Sequence, residues 1–99
     1  MNAGTSENQA VTADLNAPSI LQVDFNGAAT AIYQNGVSQG TVSSGTNALS
    51  FAAVGANYNG TNVIEGSIAE VIVFQPLLTS VWRTLVTRYL GGRYGIAVP

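Results

Sequence analysis

Residues 64–96 read IEGSIAEVIVFQPLLTSVWRTLVTRYLGGRYGI and join the strongest β-type run of the chain to its one clear helical pattern. In the first half Val71, Ile72, Val73 and Phe74 are β-branched or aromatic in succession, and Pro76 stops the run because it has no backbone N–H to donate. An unbroken apolar run of this length predicts a strand buried on both faces. The second half predicts a helix over about residues 79–90. Thr79 is its N-cap. Val81, Trp82, Leu85, Val86, Tyr89 and Leu90 share one stripe, with Arg83, Thr84, Thr87 and Arg88 opposite. Gly91 and Gly92 admit a left-handed residue and predict the end of the helix. So short a helix is marginal by itself in water, so its stripe is expected to lie on the rest of the protein or on a partner, with Trp82 and Tyr89 packed in the core.

Outside this stretch the chain is short and poor in charge. Its 99 residues allow one small domain with a thin core, and a hydrophobic fraction of 46% is ordinary for a globular chain. Charged residues make up 8%, with no Lys and no His, so the surface is built from Asn, Gln, Ser, Thr and Gly. A formal charge of −2 with three scattered Arg gives no electrostatic footprint for nucleic acid or an anionic membrane. Without Cys there are no disulfides and no thiolate chemistry. No basic region followed by an apolar core is visible at the N-terminus, so no signal peptide is expected, and no run approaches the length of a membrane span.

Along the chain, residues 1–17 are small and polar without clear periodicity and read as an N-terminal arm, with Ala10, Val11, Ala13 and Leu15 able at most to add a strand. Residues 18–99 form the module. Ile20, Gln22 and Asp24 alternate with Leu21, Val23 and Phe25, which predicts a strand with the second set facing inward. Asn26-Gly27 and Asn35-Gly36 are hairpin signals, so this strand, residues 29–34 and residues 37–42 are expected as an antiparallel meander. Residues 43–47 read as a loop, 49–55 as another strand, and 57–62 as the loop before the run at Val71.

The pattern G-x-I-A-E-V-I-V-F, a short Pro/Leu turn, a Ser/Thr cap, a helix containing Arg, then Y-L-x-x-[KR]-Y-G-I resembles the C-terminal end of concanavalin A-like lectin/glucanase domains of the laminin G-like kind. It is carried here by residues 66–74, Leu78, Thr79, Arg83, Tyr89, Leu90, Arg93, Tyr94, Gly95 and Ile96. The match covers the last third of the chain and, more weakly, residues 19–56. It departs at Trp82, where a Glu is usual and would complete a capping box with Thr79. The resemblance implies a mainly β fold, an antiparallel jelly-roll-like β-sandwich closed by one short C-terminal α-helix, of the kind found in secreted bacterial proteins and phage tail or surface proteins. Such sandwiches have two facing sheets, whereas this sequence supplies about five strands, so the sandwich is expected to be incomplete and its missing face to come from a neighbouring copy, another protein or a trimmed second sheet.

The glucanase side of the resemblance invites a search for catalytic groups. A retaining glycosidase needs two carboxylates about 5 Å apart, hence strand positions of equal parity. Glu65 and Glu70 are five apart and point to opposite faces of a strand. Without His, Cys or Lys there is no imidazole triad, thiol nucleophile or Ser–Lys pair, and five dispersed acidic residues are a poor calcium set. The chain is therefore read as no enzyme, with no cofactor and no metal. Glu70 falls on an apolar face, where a carboxylate needs a partner. Backbone amides or an Arg of the closing helix can supply it, and the resemblance points to Arg83. Trp82, Tyr89 and Tyr94 are read as structural with it.

Two functions remain. The first is a non-catalytic structural or assembly module, a virion surface, decoration or fibre-associated protein working as a homo-oligomer or beside a neighbouring structural protein, outside the cell or on the virion surface. The second is a carbohydrate-binding, lectin-like attachment module. Neutral glycans are held by amides and hydroxyls under a stacked aromatic ring, and Asn57, Tyr58, Asn59, Asn62, Tyr33 and Asn35 are the candidate contacts.

Overall fold

The computed structural model describes residues 17–46, 54 and 65–99. These contain β1 (Leu21–Asp24), β2 (Thr30–Gln34), β3 (Val37–Val42) and α1 (Ser80–Tyr94). The strands form one antiparallel sheet in the order β1-β2-β3, the expected meander. A second, facing sheet is not among the described residues. The arm and the strand at 49–55 lie outside the described residues, apart from Ala17 and Val54, which are both exposed.

The β2–β3 turn follows from its sequence. Asn35 and Gly36 have φ of 50° and 80°, the paired left-handed geometry that an Asn-Gly hairpin needs and that matches strand twist. The Asn35 side chain also accepts the Ile20 N–H at 2.8 Å, and its own N–H donates to the Ile20 carbonyl at 2.9 Å, so one residue closes the turn and pins the start of β1. Asn26-Gly27 behaves differently. A 3-10 turn occupies Gly27–Ala29, and Thr30 ties it down: its hydroxyl accepts from the Asn26 N–H at 2.9 Å and donates to the Gly27 carbonyl at 3.0 Å. Since that hydroxyl has only one proton, the buried Ser44 hydroxyl is the donor in the 2.6 Å contact between the two. This polar knot replaces a two-residue hairpin.

Four sequence expectations are corrected. First, the inward set of β1 is reversed in part: Ile20 and Asp24 are buried, whereas Leu21 and Phe25 are exposed and Val23, opposite the buried Ile32, is half-buried. The sheet face carrying Gln22, Asp24 and Tyr33 is the one that receives α1, because Arg83 reaches both Asp24 and Tyr33 from the helix. Second, residues 67–74 run on without helix, turn or bend but pair with no strand among the described residues, and Val71, Ile72, Val73 and Phe74 are all exposed. β-propensity favours extended backbone and cannot itself provide a neighbour.

Third, α1 passes through Gly91 and Gly92 and ends four residues later than expected. Gly95, at φ 67°, takes the left-handed cap and donates to the Gly91 carbonyl. Gly91 stays helical and is buried because the tail folds back on it: a Cβ there would meet the Ile96 carbonyl oxygen at 2.8 Å. Close approach outweighs the roughly 1 kcal/mol that a helical glycine costs. At the other end Thr79 caps as expected, accepting from the Trp82 N–H at 3.4 Å. Fourth, α1 presents the opposite face to the sheet. Thr87 and Gly91 are buried and Arg83 is half-buried, while Val81, Trp82, Leu85 and Tyr89 stand in solvent. Small residues one turn apart let the helix approach the Asn35-Gly36 turn, where a Cβ on Gly36 would lie 3.1 Å from the Thr87 methyl and 3.0 Å from Pro99. Thr87 satisfies its own hydroxyl by donating to the Arg83 carbonyl at 2.9 Å, so its burial leaves no orphan donor.

Candidate functional site

Two side-chain clusters fix α1, and between them they define the surface it leaves open. The inner cluster joins helix to sheet. Arg83 Nε donates to Asp24 Oδ2 at 2.9 Å, Gln22 donates to the other Asp24 oxygen at 2.6 Å, and the Arg83 guanidinium lies 4.5 Å from the centre of the Tyr33 ring. Asp24 thus has both oxygens engaged, and Arg83 combines a charge-assisted bond with a stacked ring. No motif marks this pair, 59 residues apart; its only trace in the sequence is that Asp24 shares the alternating set with Ile20.

The outer cluster holds residues 65–79 to the helix. Glu70 does have protein partners, but they are Tyr94 and Arg93 rather than Arg83: the Tyr94 hydroxyl donates to Glu70 Oε2 at 2.7 Å, with Arg93 Nε at 3.4 Å. Arg93 also donates to the Tyr94 and Tyr89 hydroxyls at 3.2 and 3.3 Å. The guanidinium holds its proton more tightly than usual, first through the Tyr94 hydrogen bond and then through Tyr89 and Glu70. The structural parts assigned to Glu70, Arg83 and Tyr94 thus fall on two clusters instead of one.

Glu70 sits at the C-terminal end of α1 and Thr79 at its start, so the intervening residues run back along the helix. Ile68, Val71, Ile72, Val73, Phe74 and Leu77 are all exposed, as are Val81, Trp82, Leu85 and Tyr89 on the outer stripe of α1, from Val73 at 73% to Ile72 at 40%. Trp82 and Tyr89, expected in the core, are 60% and 52% exposed.

Of the candidate glycan contacts, Tyr33 and Asn35 are already engaged within the fold, by Arg83 and by Ile20. Asn57, Tyr58, Asn59 and Asn62 lie outside the described residues. A shallow depression of about 410 Å³ adjoins Asn35, lined also by Pro18, Ser19, Gln34, Val37 and Gln39, and a second of about 80 Å³ lies between Tyr33, Arg83, Thr87 and Pro99. Both open to solvent. Among the described residues no group of three acidic, His or Cys side chains converges as a metal site, and no helix is long and apolar enough to cross a membrane. Comparison of the chain with protein-family models, with curated proteins and with solved structures finds no match.

Proposed function

We propose that this chain is a non-catalytic structural or assembly module, part of a jelly-roll-like sandwich whose missing face is supplied by a neighbouring subunit. The observation that carries this reading is the number of large apolar side chains that stand exposed, Ile68, Val71, Ile72, Val73, Phe74 and Leu77 together with the outer stripe of α1. Exposed apolar side chains in such number favour a contact. Assembly is favoured over ligand capture because these side chains are predominantly apolar, whereas glycan sites set an aromatic ring among converging amides and hydroxyls. The scarcity of charge, 8% of residues, suits a packed lattice or fibre more than a freely diffusing protein. On the resemblance, the setting is a virion surface, decoration or fibre-associated protein, acting outside the cell or on the particle.

The deciding experiment is sedimentation of the purified chain across micromolar concentrations, beside Trp82→Glu/Leu85→Glu. The wild type is expected to associate, and the variant to keep its far-UV spectrum yet sediment as a monomer. A wild-type chain that stays monomeric with a cooperative melt overturns the reading. A glycan array tests the lectin-like alternative: binding abolished by Tyr58→Ala would put attachment in place of assembly.

A further inference from the structure

We propose that Asn26 is a site of spontaneous covalent modification, losing its carboxamide through a cyclic imide with Gly27, while the fold protects the like pair Asn35-Gly36. The inference is independent of the assembly reading.

The reaction belongs to the Asn-Gly sequence itself. The glycine backbone nitrogen attacks Cγ of the preceding Asn, a new C–N bond forms, and the carboxamide C–N bond breaks with its nitrogen leaving as ammonia. Water then opens the imide at one of its two carbonyls. One opening leaves aspartate; the other leaves isoaspartate, in which the main chain runs through the former side chain. Water is the only co-reactant, and nothing is oxidised or reduced. Glycine is the favoured neighbour because no side chain shields its nitrogen or restricts its backbone. Three such pairs occur, at 26–27, 35–36 and 59–60, and the last lies outside the described residues.

The two described pairs differ in what holds the carboxamide. In both, the glycine N–H donates to no described residue, so neither nucleophile is tied up. Asn35 Oδ1 accepts the Ile20 N–H at 2.8 Å, and the Asn35 N–H donates to the Ile20 carbonyl at 2.9 Å. Turning that carboxamide toward Gly36 breaks the contact that pins the start of β1, inside a hairpin whose strands pair up to Gln34 and Val37. Asn26 is exposed, and its side chain makes no capping hydrogen bond to the turn that follows it. Its ψ of 53° has to rotate before the Gly27 nitrogen reaches Cγ, and the backbone bond opposing this is the single one from the Ala29 N–H to the Asn26 carbonyl, at 2.9 Å. Opening one turn is a smaller excursion than freeing the end of a strand and its hairpin.

The product acts back on the same corner. The Asn26 N–H is bonded to Thr30 Oγ1 and the Asn26 carbonyl to the Ala29 N–H, and isoaspartate inserts an extra main-chain carbon between these two groups. The turn that joins β1 to β2 therefore loosens as isoaspartate forms.

The test holds the purified chain at mildly alkaline pH, once folded and once unfolded in urea. The peptides carrying each pair are followed by mass spectrometry, and isoaspartate is counted by isoaspartyl methyltransferase labelling. In the folded chain the Asn26 peptide is expected to convert roughly tenfold or more faster than the Asn35 peptide, because only the latter waits on opening of the hairpin. In urea the two rates are expected to converge. Asn26→Gln, whose longer side chain closes its ring far more slowly, is expected to abolish conversion at that site in both conditions. Equal rates in the folded chain, faster conversion at Asn35, or a folded chain whose Asn26 stays amidated while the unfolded one converts each overturn the proposal, and none of them bears on assembly.

Discussion

Residues 21–42 and residues 67–74 are both written in the β alphabet, yet among the described residues only the first stretch forms a sheet. The difference lies in the range of the interactions each requires. In the meander, Asn35-Gly36 brings β3 back onto β2 within two residues, and the Asn35 side chain returns to Ile20, so each strand finds its partner at small loop-closure cost. Residues 67–74 have stronger propensity, but no strand among the described residues lies within a short turn of them, and they join no ladder there. Strand propensity describes fitness for a sheet, whereas a ladder needs a second backbone at 4.8 Å or so.

That contrast can be broken or sharpened by substitution. The largest loss is expected at the centre of the meander: Ile32, 2% exposed, is its most buried large side chain, and Ile32→Ala should cost about 3 kcal/mol in urea unfolding. Next comes the junction of sheet and helix. Asp24→Ala leaves the half-buried Arg83 without its carboxylate and Gln22 without its acceptor, for a loss of about 2 kcal/mol, while Asp24→Asn should recover part of it. A smaller effect, about 1–2 kcal/mol, is expected for Gly36→Ala, which adds a Cβ at φ 80° beside Thr87 and Pro99 and should lower the melting temperature. The smallest belong to the open surface. Val73→Ala and Trp82→Ala should each change the stability of the dilute, unassociated chain by no more than about 0.5 kcal/mol, and Trp82 fluorescence there should be freely quenched by acrylamide. A loss near 3 kcal/mol for Trp82→Ala would mean instead that the helix packs by its apolar stripe.

The helix shows most clearly what a one-dimensional reading can and cannot reach. Thr79 as N-cap was legible because a cap is a contact over three residues, and the Asn35-Gly36 turn was legible for the same reason. The buried face of α1 was not. Apolar periodicity marks Val81, Trp82, Leu85 and Tyr89 as a stripe that seeks cover, but whether this chain itself supplies the cover depends on surfaces far away in sequence. The end of the helix went the same way. Gly91 looks like a terminator by composition and is an interior packing position, because the tail at Ile96 and Val98 crosses it. Glu70 was expected to find backbone amides or an Arg of the closing helix, with Arg83 the candidate; that it meets Arg93 and Tyr94 instead depends on Asp24 having taken Arg83.

Sequence alone therefore determined the local matters: three meander strands, the left-handed turn between β2 and β3, the cap at Thr79, and a charge-poor chain with no Lys, His or Cys. Tertiary structure alone decided which side of each element is inside. It set Asp24 rather than Phe25 against the helix, turned Thr87 and Gly91 toward the sheet, and left Trp82 and residues 71–74 in solvent. The physical reason is that hydrogen-bonded turns and caps are satisfied within a few residues, while burial is a property of two surfaces that meet, and one of those surfaces can belong to another molecule.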